Sequence, residues 1–288
     1  MKIIFNNVSY DYGLKTPFQY RALNHISTTF NESKFYAVVG QTGSGKSTLI
    51  QHLNAILKPT EGQLTIDEIE INRKTKSKKL SPVRKKVGIV FQFAEHQLFE
   101  DTVEKDIIFG PLNYGMDKDK AVKRAEELID LLGMEHALLK KSPFELSGGQ
   151  KRRIAIAGVL AMEPEILVLD EPTVGLDPKG QQDMMDLFRK IQMDLGITVI
   201  LISHQMDIVL KYADEVKVIK AGELIAEDKP INIFTNEELV RQAHLDIPKI
   251  IQLQQAVERK YNMQFDQLAT SEEMFKDMYD KWVMKHDR

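Results

Sequence analysis

The sequence predicts an α/β domain on a largely parallel core sheet, with an antiparallel β-rich face, a helical subdomain and a small C-terminal helical extension. Two observations predict it. Short apolar runs of strand length, such as 166–169 and 197–202, alternate with segments whose apolar residues recur at helical spacing, the pattern of strands joined by helical crossovers. After Pro230 the texture changes to Gln, Glu, Lys and Met, with two helical stripes: Ile250, Leu253 and Val257, then Met274, Phe275, Met278 and Trp282. The division is 1–229 for the main domain, with the helical subdomain at about 95–162, and 230–288 for the extension.

The elements follow in order. Residues 2–9, 26–30 and 35–39 read as strands, the last a short buried run. A Gly-rich loop at 40–47 leads into a helix at 48–57, with Leu49, Ile50, Leu53 and Leu57 on its apolar face. Pro59 to Gly62 forces a turn before an alternating strand at 64–71. The basic stretch 73–79 reads as a solvated loop, with contact to anionic lipid as the alternative. Further strands fall at 87–91, 166–169 and 198–202, and helices at 118–132, 147–162, 180–193 and 205–212. A hairpin around Ala221 and Gly222 closes the main domain.

Composition excludes several function classes. Hydrophobic residues make up 43% and charged residues 28% of 288, and the net charge of −3 does not suit a free-standing nucleic-acid binder. There is no cysteine, hence no disulfide framework or thiolate metal site. The N-terminus lacks the apolar run of a signal peptide, and no stretch approaches the roughly 20 apolar residues that span a bilayer. Any membrane role must therefore come through a partner.

The chemistry begins at Gly40-Gln41-Thr42-Gly43-Ser44-Gly45-Lys46-Ser47, which fits the phosphate-loop pattern G-x-x-x-x-G-K-[ST] between a buried strand and a helix. Glycines let backbone N–H groups turn inward around phosphate oxygens, and the helix N-terminus adds free donors and partial positive charge. Lys46 suits the β- and γ-phosphates, and the Ser47 hydroxyl is a hard ligand for Mg2+. The motif implies a nucleoside triphosphate without choosing among kinase, GTPase and transport ATPase. A second feature is the strand 166–169 running into Asp170 and Glu171. Downstream of a phosphate loop, Asp170 at a strand's C-terminal end suits Mg2+, and Glu171 is free to polarise an attacking water.

The third feature is Leu146-Ser147-Gly148-Gly149-Gln150 ahead of a helix. Ser147 is a natural N-cap, and Gly148 and Gly149 expose backbone N–H groups there, making a second anion-binding device. With this string the sequence resembles the ABC ATPase family, whose signature it is, over about residues 1–229. The resemblance implies roles in family order. Tyr12 stacks on adenine; 40–48, including Thr48, is the Walker A loop; Gln92 contacts Mg2+ and senses a membrane partner. Asp170 and Glu171 end the Walker B strand, Asp177 belongs to the D-loop, and His204 is the switch histidine at the γ-phosphate. It further implies ATP and Mg2+ as ligands and a head-to-tail ATPase dimer, in which Ser147, Gly148, Gly149 and Gln150 of one subunit close over ATP held by the other.

The stretch Phe91-Gln92-Phe93-Ala94-Glu95-His96-Gln97-Leu98-Phe99-Glu100 is similar to the A-component ATPases of energy-coupling factor transporters, in particular the second paralogous type. That type usually has Pro where this chain has Ala94. The resemblance implies a short helix after Gln92 that docks a transmembrane T component, substrate-binding S components reached indirectly, and a C-terminal extension that helps two ATPases, identical or paralogous, stay paired. It places the chain at the cytoplasmic face of the cell membrane, hydrolysing ATP to ADP and phosphate to import vitamins or transition-metal ions. The competing classes are the ATPase subunit of another ABC importer and a soluble ABC ATPase acting on DNA or ribosomes. The latter usually carries a long coiled coil or two ATPase domains in one chain, and neither is visible here.

Overall fold

A computed structural model describes residues 1–286. Two sheets form its frame. Strands β1 (Ile3–Tyr12), β2 (Tyr20–Phe30), β4 (Glu61–Ile66) and β5 (Ile69–Ile71) make an antiparallel sheet of order β2-β1-β4-β5. Strands β3 (Phe35–Val39), β6 (Val87–Val90), β7 (Ile166–Asp170), β8 (Thr198–Ile202), β9 (Glu215–Lys220) and β10 (Glu223–Asp228) make the core sheet, of order β10-β9-β3-β8-β7-β6. Its five strands from β6 to β9 run parallel, and only β10 pairs antiparallel.

The side-chain alternation along β3 shows why this sheet lies in the middle. Tyr36 and Val38 face the antiparallel sheet, packing with Phe5, Phe30, Val168 and Ile200. Phe35, Ala37 and Val39 face the opposite way, onto helices. All five are fully buried, so the strand reads as a continuous apolar run rather than an alternating one. Helix α1 (Lys46–Leu53) is sandwiched between the sheets through Leu49, Ile50 and Leu53.

The helical subdomain comprises α3 (Val103–Asn113), α4 (Lys118–Leu131) and α5 (Gly148–Leu160), preceded by the short α2 (Ser81–Lys86). Its apolar faces share one core with α6 (Pro178–Leu195) and with Leu167, Leu169, Val199 and Leu201. Helix α7 (Met206–Tyr212) leads toward β9. The residues after 229 fold as α8 (Pro230–Thr235), α9 (Glu237–Ala243), α10 (Lys249–Tyr261) and α11 (Glu272–His286). Among the described residues they have no separate core: Phe234, Ile250, Ile251 and Phe275 pack with α7 and with Ala37, Val39, Val216 and Val218 of the sheet.

The structure differs from the sequence reading in several places. The alternation at 64–71 is two strands joined at Asp67 and Glu68, with Asp67 at φ 56°, because a tight turn preserves the apolar period. β1 continues to Tyr12, since register shifts between Phe5 and Tyr10, with Asn7 at φ 53°, flip its alternation. β2 begins at Tyr20 rather than residue 26. Helix α1 stops at Leu53; Ala55 at φ 54° ends it although Leu57 continues the helical spacing. Helix α3 was not anticipated, and the basic stretch ends in a 3-10 turn (Ser77–Leu80). Among the described residues four helices, not two, follow residue 229. The short helix expected after Gln92 is present as a 3-10 turn (Ala94–Gln97), with Ala94 buried and Phe93 at φ 57°.

Candidate functional site

Parallel register brings the acidic and glutamine positions together. Val90, the last residue of β6, pairs with Leu169, and Asp170 pairs with Ile202. Asp170 therefore ends its strand, and Gln92, Glu171 and His204 follow the C-terminal ends of adjacent strands, while β3, next to β8, delivers the phosphate loop to the same edge. A cleft of about 490 Å3 opens there, lined by Gly40, Gln41, Thr42, Lys46, Glu171 and His204, and also by Met206 and His244 to Asp246 of the extension.

The loop is built on close backbone approaches. A Cβ on Gly40, at φ 150°, would lie 2.1 Å from the Ile219 carbonyl oxygen. Gly45, at φ 108°, caps α1, and Lys46, Ser47 and Thr48 form its first turn, where backbone N–H groups lack helical partners. The Lys46 ammonium donates to the Gly40 and Gln41 carbonyls at 2.6 and 2.8 Å. The Ser44 hydroxyl is buried without a hydrogen-bond partner. Tyr12 is half exposed, and its hydroxyl lies 3.2 Å from Thr48 Oγ1, which fixes the ring beside the loop helix.

Electrostatics couple the cluster. Burial lowers the Lys46 pKa, opposed by the charges of Glu171 and Asp170. Burial also raises that of Asp170, with the Glu171 charge adding and Lys46 opposing. Glu171 sits in the left-handed region at φ 50°, a conformation costing about 1–3 kcal/mol for a side-chain-bearing residue. Its N–H donates to the Ile202 carbonyl at 3.0 Å, and both its carboxylate oxygens lie 2.9 Å from Nδ1 of His204. A carboxylate only accepts, so Nδ1 carries the proton and donates.

The signature residues lie elsewhere in the chain. Ser147 Oγ accepts from the Gln150 N–H at 3.3 Å, and Gln150 Oε1 accepts from the Ser147 N–H at 3.0 Å, a reciprocal cap on α5. Ser147, Gly149 and Gln150 line a separate cleft of about 480 Å3. A Cβ on Gly148 or Gly149 would meet nothing within 4 Å. Asp177 caps α6, its Oδ1 accepting from the Gly180 N–H at 2.8 Å, and does not line the phosphate cleft.

Sequence reasoning missed two features. His244 to Asp246 reach the phosphate cleft from the extension, and no local pattern announces it. Arg152, on the signature helix, is 6% exposed. An arginine in a helix whose neighbours Ile154, Ile156 and Ala157 are all buried demands a partner, and that signal was available.

The residues present suit a magnesium nucleotide: Ser47 and Asp170 offer hard oxygens near the Lys46 ammonium, and the loop holds the buried, unsatisfied Ser44 hydroxyl. Fold and site together define a P-loop nucleoside triphosphatase of the ATP-binding cassette class. Residues 23–174 match the ABC transporter family. The chain is 49% identical to the energy-coupling factor transporter ATP-binding protein EcfA2 of Staphylococcus saprophyticus and to that of Staphylococcus epidermidis. Each match covers 98% of this chain, and 98% and 99% of the relative. Among solved structures, cbiO1 from Clostridium perfringens, described as part of the ABC transporter complex cbiONQ, is 39% identical with a TM-score of 0.74, over 88% of this chain and 98% of that one. The ATP-binding cassette MJ0796, solved as a post-hydrolysis dimer bound to ADP and Pi, is 31% identical with a TM-score of 0.69, over 79% of this chain and 98% of that one. The chain belongs to the ABC transporter family of ATPases, alongside the energy-coupling factor ATP-binding proteins. It is an ATP-binding ATP hydrolase of the kind that drives transport.

Proposed function

We propose that this chain is the motor subunit of an energy-coupling factor importer, hydrolysing ATP at composite sites shared with a second ATPase, identical or paralogous. The observation that carries this reading is the separation of the two anion-binding devices: the phosphate loop and the signature line different clefts of one chain. A second ATPase, packed head to tail, brings a signature to each phosphate loop.

When bound, ATP supplies the phosphoanhydride that is split, and Mg2+ draws charge from its phosphate oxygens. Lys46 and the backbone N–H groups of 43–48 hold the phosphates. Ser47, Asp170 and Gln92 would hold the metal, and Tyr12 would stack against the base. Glu171 orients the attacking water and accepts its proton, and the 2.9 Å bond from His204 fixes which way the carboxylate faces. Gly148, Gly149 and the capped start of α5 present N–H groups to the partner's nucleotide, and Asp177 stands at the ATPase pair's contact.

We place the chain at the cytoplasmic face of the membrane, held by a transmembrane T component that the Ala94–Gln97 turn contacts; no helix of the described residues is long and apolar enough to cross a membrane. The S components are reached only through that partner. The division into a catalytic domain over 1–229 and an extension over 230–288 that steadies the ATPase pair belongs to the same reading. Purification of the full chain from native membranes tests it. Recovery with an integral membrane protein and an ABC ATPase partner is the expected result; recovery of the chain alone, with no membrane protein, contradicts it.

A further inference from the structure

The guanidinium of Arg152 joins three segments: its own helix α5, the Ala94–Gln97 turn and the chain between Glu171 and α6. Its Nε and Nη2 donate to the two carboxylate oxygens of Glu95 at 2.9 and 2.7 Å, a planar fork onto the Ala94–Gln97 turn. Its Nη1 donates to the carbonyls of Pro172 and Val174 at 3.2 and 3.0 Å. Both carbonyls belong to the irregular segment that leaves Glu171 for α6. Burial pushes the Glu95 carboxyl up, but the hydrogen bonds from Arg152, a backbone hydrogen bond and the Arg152 charge together outweigh it and hold the carboxyl below its usual range.

A buried ion pair is weak evidence for stability, since apolar side chains of similar volume fill such a space as well or better. What Arg152 adds is geometry. Glu171 is held at φ 50°, and a residue in that conformation persists only where its surroundings over-determine it. On one side its N–H is tied to β8 and its carboxylate to His204. On the other side the following turn is closed by weak bonds, Val174 N–H to the Glu171 carbonyl at 3.3 Å and Leu176 N–H to the Thr173 carbonyl at 3.2 Å. The Arg152 bonds to the carbonyls of 172 and 174 add a constraint on the stretch next to Glu171, beside the Gln181 amide that donates to the Leu176 carbonyl at 3.1 Å, and Glu95 aims the guanidinium that makes them.

We propose that Arg152 is a positioning residue for Glu171, and that the Glu95–Arg152 pair is the rigid link by which displacement of the 92–97 segment reaches the hydrolytic carboxylate. This rests on the reading of Glu171 as the residue that activates water.

The test is Arg152→Lys in the full-length chain assembled with its partners. Lysine keeps a charge for Glu95 but has no planar fork to span a carboxylate and two carbonyls. Saturated ATP turnover is expected to fall by about 10–100-fold, with the Kd for a fluorescent ATP analogue within about twofold of the parent. Hydrogen exchange should rise at the amides of 171–176 and stay unchanged at 40–48. A purely structural Arg152 would instead lower turnover, nucleotide affinity and Tm together. Turnover within about twofold of the parent, or affinity falling in step with turnover, overturns the proposal. Should Arg152→Lys fail to fold, Glu95→Gln, which still accepts from one arm of the fork, takes its place with the same three measurements. A smaller loss of turnover in the same direction is then expected, and the same two outcomes overturn the proposal. Glu171→Gln is run alongside. If it keeps full turnover, the functional reading and this proposal both fall; if it abolishes turnover and Arg152→Lys does not lower it, only this proposal falls.

Discussion

His204 donates through Nδ1 to both carboxylate oxygens of Glu171, at 2.9 Å each, while the imidazole itself stays largely exposed at the cleft mouth. A carboxylate held by both oxygens loses the rotation about its last torsion, which on the proposed reading would turn it away from the attacking water. His204→Ala is expected to lower turnover by about 100-fold, the scale of a mispositioned general base, and to leave the Kd for ATP nearly unchanged. Steady-state phosphate release beside equilibrium nucleotide binding checks the split.

The signature glycines separate stability from function. A side chain on Gly149 meets nothing within 4 Å in this chain, and its backbone is ordinary helix. Gly149→Asp should therefore change unfolding free energy by less than about 0.5 kcal/mol. In the head-to-tail pair proposed above it would place a carboxylate against the partner's nucleotide phosphates and should abolish cooperative turnover. Thermal denaturation of the isolated chain and ATPase assay of the assembled complex give the two halves of the comparison.

At Gly40 the expectation is reversed. The φ of 150° and the 2.1 Å approach of an added Cβ to the Ile219 carbonyl leave no room without moving backbone of β9. Gly40→Ala should destabilise the fold by about 2–3 kcal/mol or more, visible as a lowered Tm before any nucleotide is added.

His52, on the loop helix, is fully buried, with its Nδ1–H donating to the Thr48 carbonyl at 2.7 Å and its ring edge-on to Tyr10. Burial drives its pKa down from 6.5 to about 4. The folded state resists protonation, so between pH 6.5 and about 4 the unfolded chain binds more protons and stability falls as pH falls. The loss amounts to about 3 kcal/mol across that window, present in full above it. Denaturation midpoints of the parent and His52→Gln, measured from pH 7 to 4, should converge as the pH drops; parallel curves would contradict the assignment.

Much of the site was legible because its chemistry is local. The phosphate loop sits between a buried strand and a helix, the Asp170–Glu171 pair ends a wholly apolar strand, and Ser147 with Gln150 spells its own reciprocal cap. The parallel sheet also followed from the alternation of strands and helices. What the sequence hides is set by long-range geometry. Helix α3 contains Gly110 and Pro111, which break the pattern by which a helix is read, although Thr102 caps its start. The bulges of β1 invert its alternation near Asn7. Arg152 finds Glu95, 57 residues away, and His244 to Asp246 reach a cleft whose other walls lie in the first 206 residues. No period or spacing encodes those meetings; they follow from how the layers stack.

On the proposed reading Glu171, lining the Lys46 cleft, activates water for ATP hydrolysis. Phosphate release by Glu171→Gln in the assembled complex, with nucleotide binding measured on the same preparation, tests it most directly. Turnover reduced by about 100–10,000-fold with ATP still bound is the predicted result. Turnover within about twofold of the parent would contradict it.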